Sequence, residues 1–458
     1  MLTMLGWPQE MRDSSSRLPL QHCYGGVRIV DWPSPTNVRR LDLATLPMIC
    51  EFHRNGILID QSHFKSLESK VSAELAQVEA DCWREAGRKF NPGSGDQVGQ
   101  LLFEEMGLKP RLGIKRTPSG KVSTDADTLK QMRADYPVVD RILKYRELAK
   151  IKGTYIDTMP QMVGPDGRLR TTFRHTNTGT GRLSSEDPNL QNIPVRTELG
   201  KEIRNGFVAR PGCRLGSIDL SQIEMVVAAD LSLDRSLCRF FLDGMDIHTE
   251  TALMAFGLDR SAVEWPNFKQ DYRLPVKQVG FGILYGQTPA GAQENIISVG
   301  GPYKPIEEVE GIIRNWFLVY GGVARWMQQQ YARVKRYGMA WDAFGRSRVI
   351  PEGRSVIPRV QSAGLRQAGN MPIQSTAGGI LKLAMAELQD AVLDWRRAYP
   401  GEILEPLLQI HDELVFELSD SLAQDWCEYA KGVMTSAVRL TIPMGASASV
   451  GNCWGELK

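Results

Sequence analysis

The sequence predicts an α+β fold in which long helical stretches surround a few short strands. Two observations favour it. Apolar residues recur at three- and four-residue steps over much of the chain, as between residues 64 and 78, and this period is typical of amphipathic helices. Two short apolar segments, 214–219 and 407–418, have the composition of strands. The chain has 458 residues, of which 42% are hydrophobic, so it can bury several sizeable cores.

The overall charge is close to balanced. Lys and Arg number 55 against 53 Asp and Glu, a net charge of +2, so binding to nucleic acid must depend on local clusters of positive charge. The seven cysteines are an odd number without a Cys-x-x-Cys spacing, which predicts buried thiols in a reducing compartment. No apolar run is long enough to cross a bilayer, and the first residues lack the layout of a signal peptide. We therefore expect a soluble, cytoplasmic protein without a membrane partner.

The N-terminal third of the chain is predicted to be an arm followed by helices. Residues 1–40 mix Ser, Pro and isolated aromatics without a sustained period, so we expect an N-terminal arm there. From residue 41 the pattern is helical, and one apolar stripe is formed by Phe64, Leu67, Val71, Leu75 and Val78. After a turn-rich break at 110–127, a second helical stretch carries Arg141, Lys144, Arg146, Lys150 and Lys152. Two interpretations of these charges remain open: they follow a phosphate backbone, or they face solvent.

The middle and end of the chain alternate strands with helices. A strand over 214–219 is followed by helical pattern from 221 to about 336, and a long helix is expected over 376–395. The apolar segment 407–418 is interrupted by the polar triplet at 411–413. That interruption predicts a hairpin with a polar tip.

Two carboxylates stand at the ends of predicted strands. Asp219 ends a strand just before a helix, and Ser221 with Glu224 fits a capping box, so one interpretation is that this cluster only begins a helix. Asp412 lies at the hairpin tip, where an ordinary turn is the alternative. Carboxylates on neighbouring strand ends are also able to share two Mg²⁺ ions, because Mg²⁺ favours one or two carboxylates plus substrate phosphates. The pair then forms a two-metal site for phosphoryl transfer.

A predicted helix beginning near Arg273 carries a regular series of side chains. Two cations and then two aromatics fall at successive steps of four: Arg273, Lys277, Phe281 and Tyr285. A helix N-terminus with added cations suits a triphosphate, and the aromatics suit a base or sugar. Glycines at 280, 282 and 286 each cost about 1 kcal/mol in a helix, so we expect a close approach to it. The alternative is that the aromatics are core residues and the cations lie on the surface.

Seven short motifs occur in collinear order between residue 41 and the C-terminus. They are Thr180-Gly181-Arg182-Leu183-Ser184-Ser185, Asn189-Leu190-Gln191-Asn192-Ile193-Pro194, Asp219-Leu220-Ser221-Gln222-Ile223-Glu224, Asp246-Ile247-His248, Arg273-x3-Lys277-x3-Phe281-Gly282-x2-Tyr285-Gly286, Asn370-x2-Ile373-Gln374 and His411-Asp412-Glu413. The third, fifth and seventh resemble motifs A, B and C of the family A DNA polymerases, the bacterial DNA polymerase I type. The resemblance implies a template-directed DNA polymerase with a right-hand architecture of palm, fingers and thumb.

The resemblance also implies how the hand is divided along the chain. After the arm at 1–40, it assigns 41–160 to the thumb, 161–234 to the first part of the palm, 235–346 to the fingers and 347–458 to the second part of the palm. The palm is expected to contain an antiparallel sheet, with mostly helical fingers and thumb. Only about 40 residues precede the match, so we expect no proofreading exonuclease in the same chain.

Catalytic and metal-binding roles carry over from the family motifs. Asp219 and Asp412, with the Leu220 carbonyl, are the implied ligands of two Mg²⁺ ions, for which Mn²⁺ is a possible substitute. Glu413 is implied as a weaker accessory. Lys277 is implied as the donor of a proton to the pyrophosphate leaving group.

Substrate contacts carry over in the same way. The implied nucleotide-binding residues are Arg273, Lys277, Phe281, Tyr285, His248, Glu224 and Gln222. Glu224 with Tyr285 resembles the steric gate that excludes a ribose 2′-hydroxyl, so deoxynucleotides are the expected substrates. Phe281 resembles the version that discriminates against dideoxynucleotides. The implied primer-template contacts are Arg182, Gln191, Asn192, Arg366, Asn370, Gln374 and His411.

Some features depart from the family pattern or leave the function open. Leu220 replaces a common Tyr, the segment 225–230 lacks the Arg and His frequent in relatives, and Pro275 implies that the nucleotide helix begins late.

A monomer acting on primer-template DNA and dNTPs is expected, in a nucleoid or an infected bacterial host. Two rival functions remain: a single-subunit RNA polymerase, against which Glu224 and Phe281 argue, and a catalytically silent primer-template binding protein, against which the carboxylate pair argues.

Overall fold

The computed structural model describes residues 35–110, 116–117, 120–133, 135–195 and 197–457, without the side chains of Pro35, Thr36 and Phe281. Most of the predicted N-terminal arm therefore lies outside the described residues. The helix that begins the described part starts at Pro35, so the predicted boundary at residue 40 falls inside a helix.

Helices make up most of the described chain. They are α1 (Pro35–Ala44), α2 (Leu46–Asn55), α3 (Gln61–Ala86), α4 (Gly95–Gly99), α5 (Ala126–Lys130), α6 (Pro137–Ile151), α7 (Glu198–Asn205), α8 (Ile223–Ser232), α9 (Arg235–Leu242), α10 (Ile247–Phe256), α11 (Leu274–Leu284), α12 (Pro289–Ser298), α13 (Ile306–Val319), α14 (Gly321–Tyr337), α15 (Pro358–Ala398) and α16 (Ala423–Ser436). Three π-helical turns cover Gln100–Glu105, Lys152–Ile156 and Lys269–Arg273. None of the described helices combines the length and apolarity needed to cross a lipid bilayer.

In the part of the chain that the structure describes, the strands form one larger sheet and three small ones. They are β1 (Ile57–Ile59), β2 (Arg168–Leu169), β3 (Thr172–Arg174), β4 (Ser184–Glu186), β5 (Phe207–Val208), β6 (Cys213–Ser221), β7 (Met339–Trp341), β8 (Ser347–Val349), β9 (Leu404–Ile410), β10 (Glu413–Ser419) and β11 (Gly445–Gly451). The larger sheet has the order β11-β6-β10-β9, and all its neighbours are antiparallel. Together with the helices, this arrangement confirms the predicted α+β class.

The central sheet lies between helices that cover its apolar residues. Helix α16 packs on β6 and β11, and α2 packs on β9. Consecutive side chains of β10, such as Leu414, Val415 and Phe416, are fully buried. The strand is central, and both faces of the sheet are covered there. The sheet is therefore a rigid platform for whatever its strand ends carry.

The two longest helices follow the predicted patterns in part. Helix α3 buries Phe64, Leu67, Val71 and Val78, while Leu75 is only half-buried, so the amphipathic stripe is confirmed. Helix α15 extends far beyond the predicted 376–395 and begins at Pro358. Its additional turns contain glycines and Pro372, which weaken a helix in isolation, and burial within the tertiary structure stabilises them.

Ion pairs connect the basic face of α6 to a neighbouring helix. Arg141 pairs with Glu85 at 3.6 Å, and Lys144 pairs with Glu74 at 2.7 Å. Lys152, just after α6, pairs with Glu68 at 3.0 Å. Since α3 supplies all three acids, these charges connect two helices. Lys144 and Lys150 are also exposed, as the solvent-facing interpretation expected, and the contact with a phosphate backbone stays a prediction.

The described cysteines meet the expectation of burial only in part, and Cys23 lies outside the described residues. Cys82, Cys213 and Cys427 are buried, and Cys238 and Cys453 are partly buried. Cys50 is exposed, so the prediction that the thiols are all buried is wrong for that residue. The cysteines that the structure describes are all reduced.

Candidate active site

The ends of the two central strands bring the predicted carboxylates together. Glu413, the first residue of β10, lies directly opposite Asp219 near the end of β6. The backbone N–H of Leu220 donates a hydrogen bond to the carbonyl of Asp412 at 3.2 Å. Because the central pair is antiparallel, the start of β10 and the end of β6 lie at the same end of the sheet. Asp219 and Asp412, distant in sequence, are therefore adjacent in the fold.

The polar hairpin tip is a tight turn. Ile410 pairs with Glu413, so only His411 and Asp412 connect β9 to β10. His411 has a φ of 55°, in the left-handed region that only a few non-glycine residues adopt, and its carbonyl accepts a hydrogen bond from the Gln409 amide. The predicted hairpin with a polar tip is confirmed, and the turn fixes the direction of Asp412.

Arg182 connects the carboxylates on different elements. Its Nη2 donates to Oε1 of Glu224 on α8 at 2.7 Å and to Oδ1 of Asp412 at 3.3 Å. The side chains of Arg182 and Asp412 are each 24% exposed, and that of Glu224 is 11% exposed. Two negative charges thus share one guanidinium in a largely desolvated site.

This environment raises the pKa of two groups at the site. Burial raises the pKa of the Asp412 carboxyl, the Glu224 charge raises it further, and the Arg182 guanidinium opposes both effects. Burial also raises the pKa of the Tyr285 phenol, whose hydroxyl is hydrogen-bonded to Glu224. Tyr285 is therefore neutral at physiological pH and is held beside Glu224, as the gate interpretation requires.

The capping-box interpretation of Ser221 and Glu224 is wrong. Ser221 is the last residue of β6, and the N-cap of α8 is Gln222, which adopts a left-handed conformation with a φ of 51° and makes no side-chain capping hydrogen bond. The Glu224 side chain is instead bound by Arg182. The left-handed residue turns the chain sharply, so that Glu224 faces the hairpin tip.

The predicted phosphate-binding side chains lie near one another at the start of α11. The helix begins at Leu274, so Pro275 lies in its first turn, where the missing N–H has no intrahelical partner, and Arg273 ends the preceding π-helical turn. Arg273 donates to Asp246 at 2.6 Å and to Thr249 at 3.2 Å. Asp246 also caps α10 by accepting from the backbone of His248 at 3.0 Å.

His248 lies close enough to both cations for their charges to influence it. Burial, Lys277 and Arg273 lower the pKa of His248 to about 4, so its ring is neutral at physiological pH. A neutral imidazole donates a hydrogen bond to phosphate without adding charge. Thr249, which the sequence did not single out, is held to Arg273 and follows the motif histidine directly.

The close approaches to α11 come from the protein itself. A Cβ on Gly280 would lie 3.0 Å from Nε1 of Trp316, and a Cβ on Gly286 would lie 2.6 Å from Cβ of Arg366. Gly286 also has a φ of 71°, which L side chains rarely adopt. The backbone of Phe281 is helical, and its predicted contact with the nucleotide concerns a side chain outside the described residues.

Replacing Gly286 with Ala is expected to destabilise the fold by about 2 to 3 kcal/mol, because the left-handed strain adds to a clash with Arg366. Gly244→Ala is the matched control, since Gly244 has a φ of 64° and nothing within 4 Å of its added Cβ, so that variant has the strain alone. Urea unfolding measures both. Equal losses of free energy of unfolding for the two variants would contradict the proposed contact with Arg366.

Three of the predicted primer-template residues lie on the long helix α15. Arg366, Asn370 and Gln374 lie at steps of four on α15, and the next residue in that series, Gly378, is the one whose added Cβ would lie 3.0 Å from Cγ of Arg182. Asn370 Nδ2 donates to the Leu284 carbonyl at 2.8 Å and so connects α15 to the end of α11. These residues share one face of a long helix.

Three further predicted residues have different surroundings. The Gln191 amide donates to Oε1 of Gln409 at 3.0 Å, next to the hairpin tip. Asn192 is exposed, and its carbonyl accepts a hydrogen bond from Tyr155 at 2.7 Å. Glu413 is only 1% exposed and accepts a hydrogen bond from the Ser217 hydroxyl. Its accessory role stays a prediction.

The donor set fits a hard divalent cation. No group of three or more His, Cys, Asp and Glu residues with a metal-site arrangement occurs in the described chain. Mg²⁺ does not need one, because it is usually held by one or two carboxylates plus substrate phosphates. Asp219, Asp412 and the Leu220 carbonyl supply oxygen donors alone, and Asp412 is a desolvated carboxylate already in contact with a cation. The residues present are therefore suitable ligands for Mg²⁺.

Comparisons with known proteins agree with this arrangement. A family model described as DNA polymerase family A matches residues 61–456. The chain is 38% identical over 421 residues to the thermostable DNA polymerase I of Thermus aquaticus, covering 92% of this chain and 48% of that protein. It is 35% identical over 421 residues to DNA polymerase I of Chloroflexus aurantiacus, covering 91% of this chain and 43% of that protein.

A solved structure is similar over most of the chain. The POL domain of Pol1 from M. smegmatis, in complex with DNA primer-template and dNTP, has a TM-score of 0.81 and 32% sequence identity. The match covers 91% of this chain and 70% of that one. This chain spans about half the length of the curated relatives that it matches.

Proposed function

The chain belongs to DNA polymerase family A, and from this premise we propose that it adds deoxynucleotides to the 3′ end of a primer in the order set by a template strand. The observation that carries the proposal is the adjacency of Asp219 and Asp412 at the ends of β6 and β10. The proposed substrates are primer-template DNA and dNTPs, bound by a monomer inside the cell. Family membership and the right-hand fold agree with the resemblance of the motifs.

The proposed reaction is a displacement at the α-phosphorus of the nucleotide. The primer 3′-hydroxyl loses its proton to solvent and its oxygen forms a bond to that phosphorus. The bond from the phosphorus to the oxygen that bridges to the β-phosphate breaks, and pyrophosphate leaves. Mg²⁺ bound by Asp219, Asp412 and the Leu220 carbonyl would lower the pKa of the 3′-hydroxyl and stabilise charge on the phosphates. Lys277 supplies a proton to the leaving pyrophosphate, so that no additional negative charge develops on it.

Positioning is the contribution of α11 and its neighbours. Arg273, Lys277 and neutral His248 bind the triphosphate, and Asp246 keeps Arg273 oriented before the nucleotide arrives. Gln222 contacts the nucleotide from the sharp turn after β6. Holding both reactants in place is worth several kcal/mol of the activation barrier, because the reaction then proceeds within one bound complex.

The remaining residues position the primer-template. Arg182, Gln191, Asn192, His411 and the α15 series at 366, 370 and 374 contact the duplex near the primer terminus. Minor-groove acceptors are common to all base pairs, so such contacts sense the shape of a correct pair without reading its identity.

Primer extension tests the proposed function. Four primed templates that differ only in the next templating base are each incubated with each single dNTP and Mg²⁺. We expect incorporation only of the complementary nucleotide, and the same templates with NTPs should give much less product. Incorporation that ignores the template base, or no incorporation with any dNTP, would refute the proposal.

Replacing Glu224 with Ala is expected to raise ribonucleotide incorporation relative to deoxynucleotide incorporation by roughly 10- to 100-fold, because removing a side chain at a steric gate opens space for one hydroxyl. Glu224→Gln is the matched control, since it keeps the volume and removes the charge that binds Arg182. The ratio of kcat/KM for the two sugars measures the effect. Unchanged sugar selectivity in Glu224→Ala would remove Glu224 from the gate.

A further inference from the structure

Arg182 lies where a cation is needed in the DNA-free protein. Its Nη2 contacts Asp412 at 3.3 Å and Glu224 at 2.7 Å, and both carboxylates are largely shielded from solvent. Carboxylates in such an environment require a nearby positive charge, since removing them from water is costly. Asp412 is also one of the two proposed metal-binding carboxylates. A protein side chain therefore contacts an oxygen that the metal would use.

One donor group of Arg182 makes no hydrogen bond in this position. Its Nε is buried and makes no hydrogen bond within the described part of the chain. An orphaned guanidinium N–H is unfavourable, so a new acceptor at the site would draw the side chain toward itself. In the proposed function, Arg182 also contacts the duplex at the primer terminus, and base edges there present acceptors.

The backbone allows such a change without unfolding. Arg182 follows Gly181, which has a φ of 71°, and its carbonyl accepts a hydrogen bond from the Thr178 hydroxyl at 2.7 Å. Its stem lies against Gly378 of α15, where an added Cβ would be 3.0 Å from Cγ. The loop is thus held through its backbone, and the Arg182 side chain lies over a glycine, which leaves space beside it.

We propose that Arg182 is a positioning residue that acts as the counter-cation of Asp412 until a primer terminus recruits it, so that metal binding at this site is coupled to primer-template binding. This inference rests on the proposed function. A guanidinium and a divalent cation at one carboxylate oxygen repel each other, so each disfavours the other. Because coupling between two ligands is reciprocal, DNA raises the affinity for metal by the same factor by which metal raises the affinity for DNA.

A titration of the whole chain with Mn²⁺ in the absence of DNA tests the proposal. Electron paramagnetic resonance measures the concentration of the free ion. Arg182→Gln should bind Mn²⁺ roughly tenfold more tightly than the wild type, because a neutral amide no longer competes for Asp412. Arg182→Lys keeps the charge and should stay close to the wild type. Equal Mn²⁺ affinities of Arg182→Gln and the wild type would show that Arg182 does not compete with the metal for Asp412, and would overturn the inference.

The same titration with saturating primer-template measures the coupling. The primer ends in a dideoxynucleotide so that no reaction follows. The wild-type affinity for Mn²⁺ should rise about tenfold on adding DNA, and the rise should be much smaller in Arg182→Gln. An equal rise in both proteins would overturn the coupling role.

Two controls keep the outcomes separate. Asp412→Asn should remove the tight Mn²⁺ signal in every background, which shows that the titration reports on this site. Wild-type primer extension is measured on the same preparation. Equal Mn²⁺ affinities with normal extension defeat this inference alone, whereas absence of extension defeats the proposed function.

Discussion

Replacing Asp412 with Asn is expected to reduce single-turnover primer extension by about a thousandfold or more while leaving the fold intact. The amide keeps the size of the side chain but loses the negative charge that a hard divalent cation requires. The hairpin turn persists, because Asn is well accommodated in turns, and Arg182 keeps its bond to Glu224 at 2.7 Å. Rapid-quench kinetics measures the rate, and thermal unfolding checks the fold.

The control for this variant is another carboxylate at the opposite end of the same sheet. Asp420 follows β10 and pairs with Arg214 at 2.7 Å on the surface. Asp420→Asn removes an equivalent charge far from the hairpin tip and should extend primers at the wild-type rate. A rate for Asp412→Asn within tenfold of the wild type would contradict its assignment as a metal ligand.

Replacing Glu417 with Ala is expected to destabilise the protein by about 3 to 5 kcal/mol, because it leaves buried positive charge unpaired. Glu417 lies on β10, fully buried, and accepts hydrogen bonds from Arg168 and from Arg210, whose Nε is 2.7 Å away. The Arg168 side chain is only 10% exposed, so water cannot replace the lost carboxylate. The midpoint of urea unfolding measures the loss.

Glu405 provides a matched comparison, since it binds the same Arg210 but its side chain is 27% exposed. Glu405→Ala should cost about 1 kcal/mol or less, because partly exposed pairs are screened and resolvated. If Glu417→Ala costs no more than Glu405→Ala, the buried pairing does not stabilise the sheet. The comparison separates the stability of the platform from the chemistry at its edge.

Local features of the site could be predicted from the sequence. Strand β6 and the hairpin of β9 and β10 follow from apolar segments with a polar interruption, and neighbouring residues decide such patterns. The adjacency of Asp219 and Asp412 was implied by the resemblance to family motifs. The series at 366, 370 and 374 lies on one face because helical spacing requires it.

Features that depend on distant contacts could not be predicted. The charges of α6 looked uncompensated because their acidic partners lie on α3. The capping box failed because Gln222 adopts a left-handed conformation, which the motif does not encode. The contact of Arg182 with Asp412 joins segments far apart in sequence, and no local pattern distinguishes it from a contact with DNA alone.

The central claim is that Asp219 and Asp412 work as one site, and a double-mutant cycle tests it most directly. Single-turnover incorporation is measured for the wild type, Asp219→Asn, Asp412→Asn and the double variant. The effects of replacing groups that act as a unit are strongly non-additive. We therefore expect the rate of the double variant to lie within a few-fold of the rate of the slower single variant. A double variant whose loss equals the product of the two single losses would mean that the carboxylates act independently, and would contradict the account.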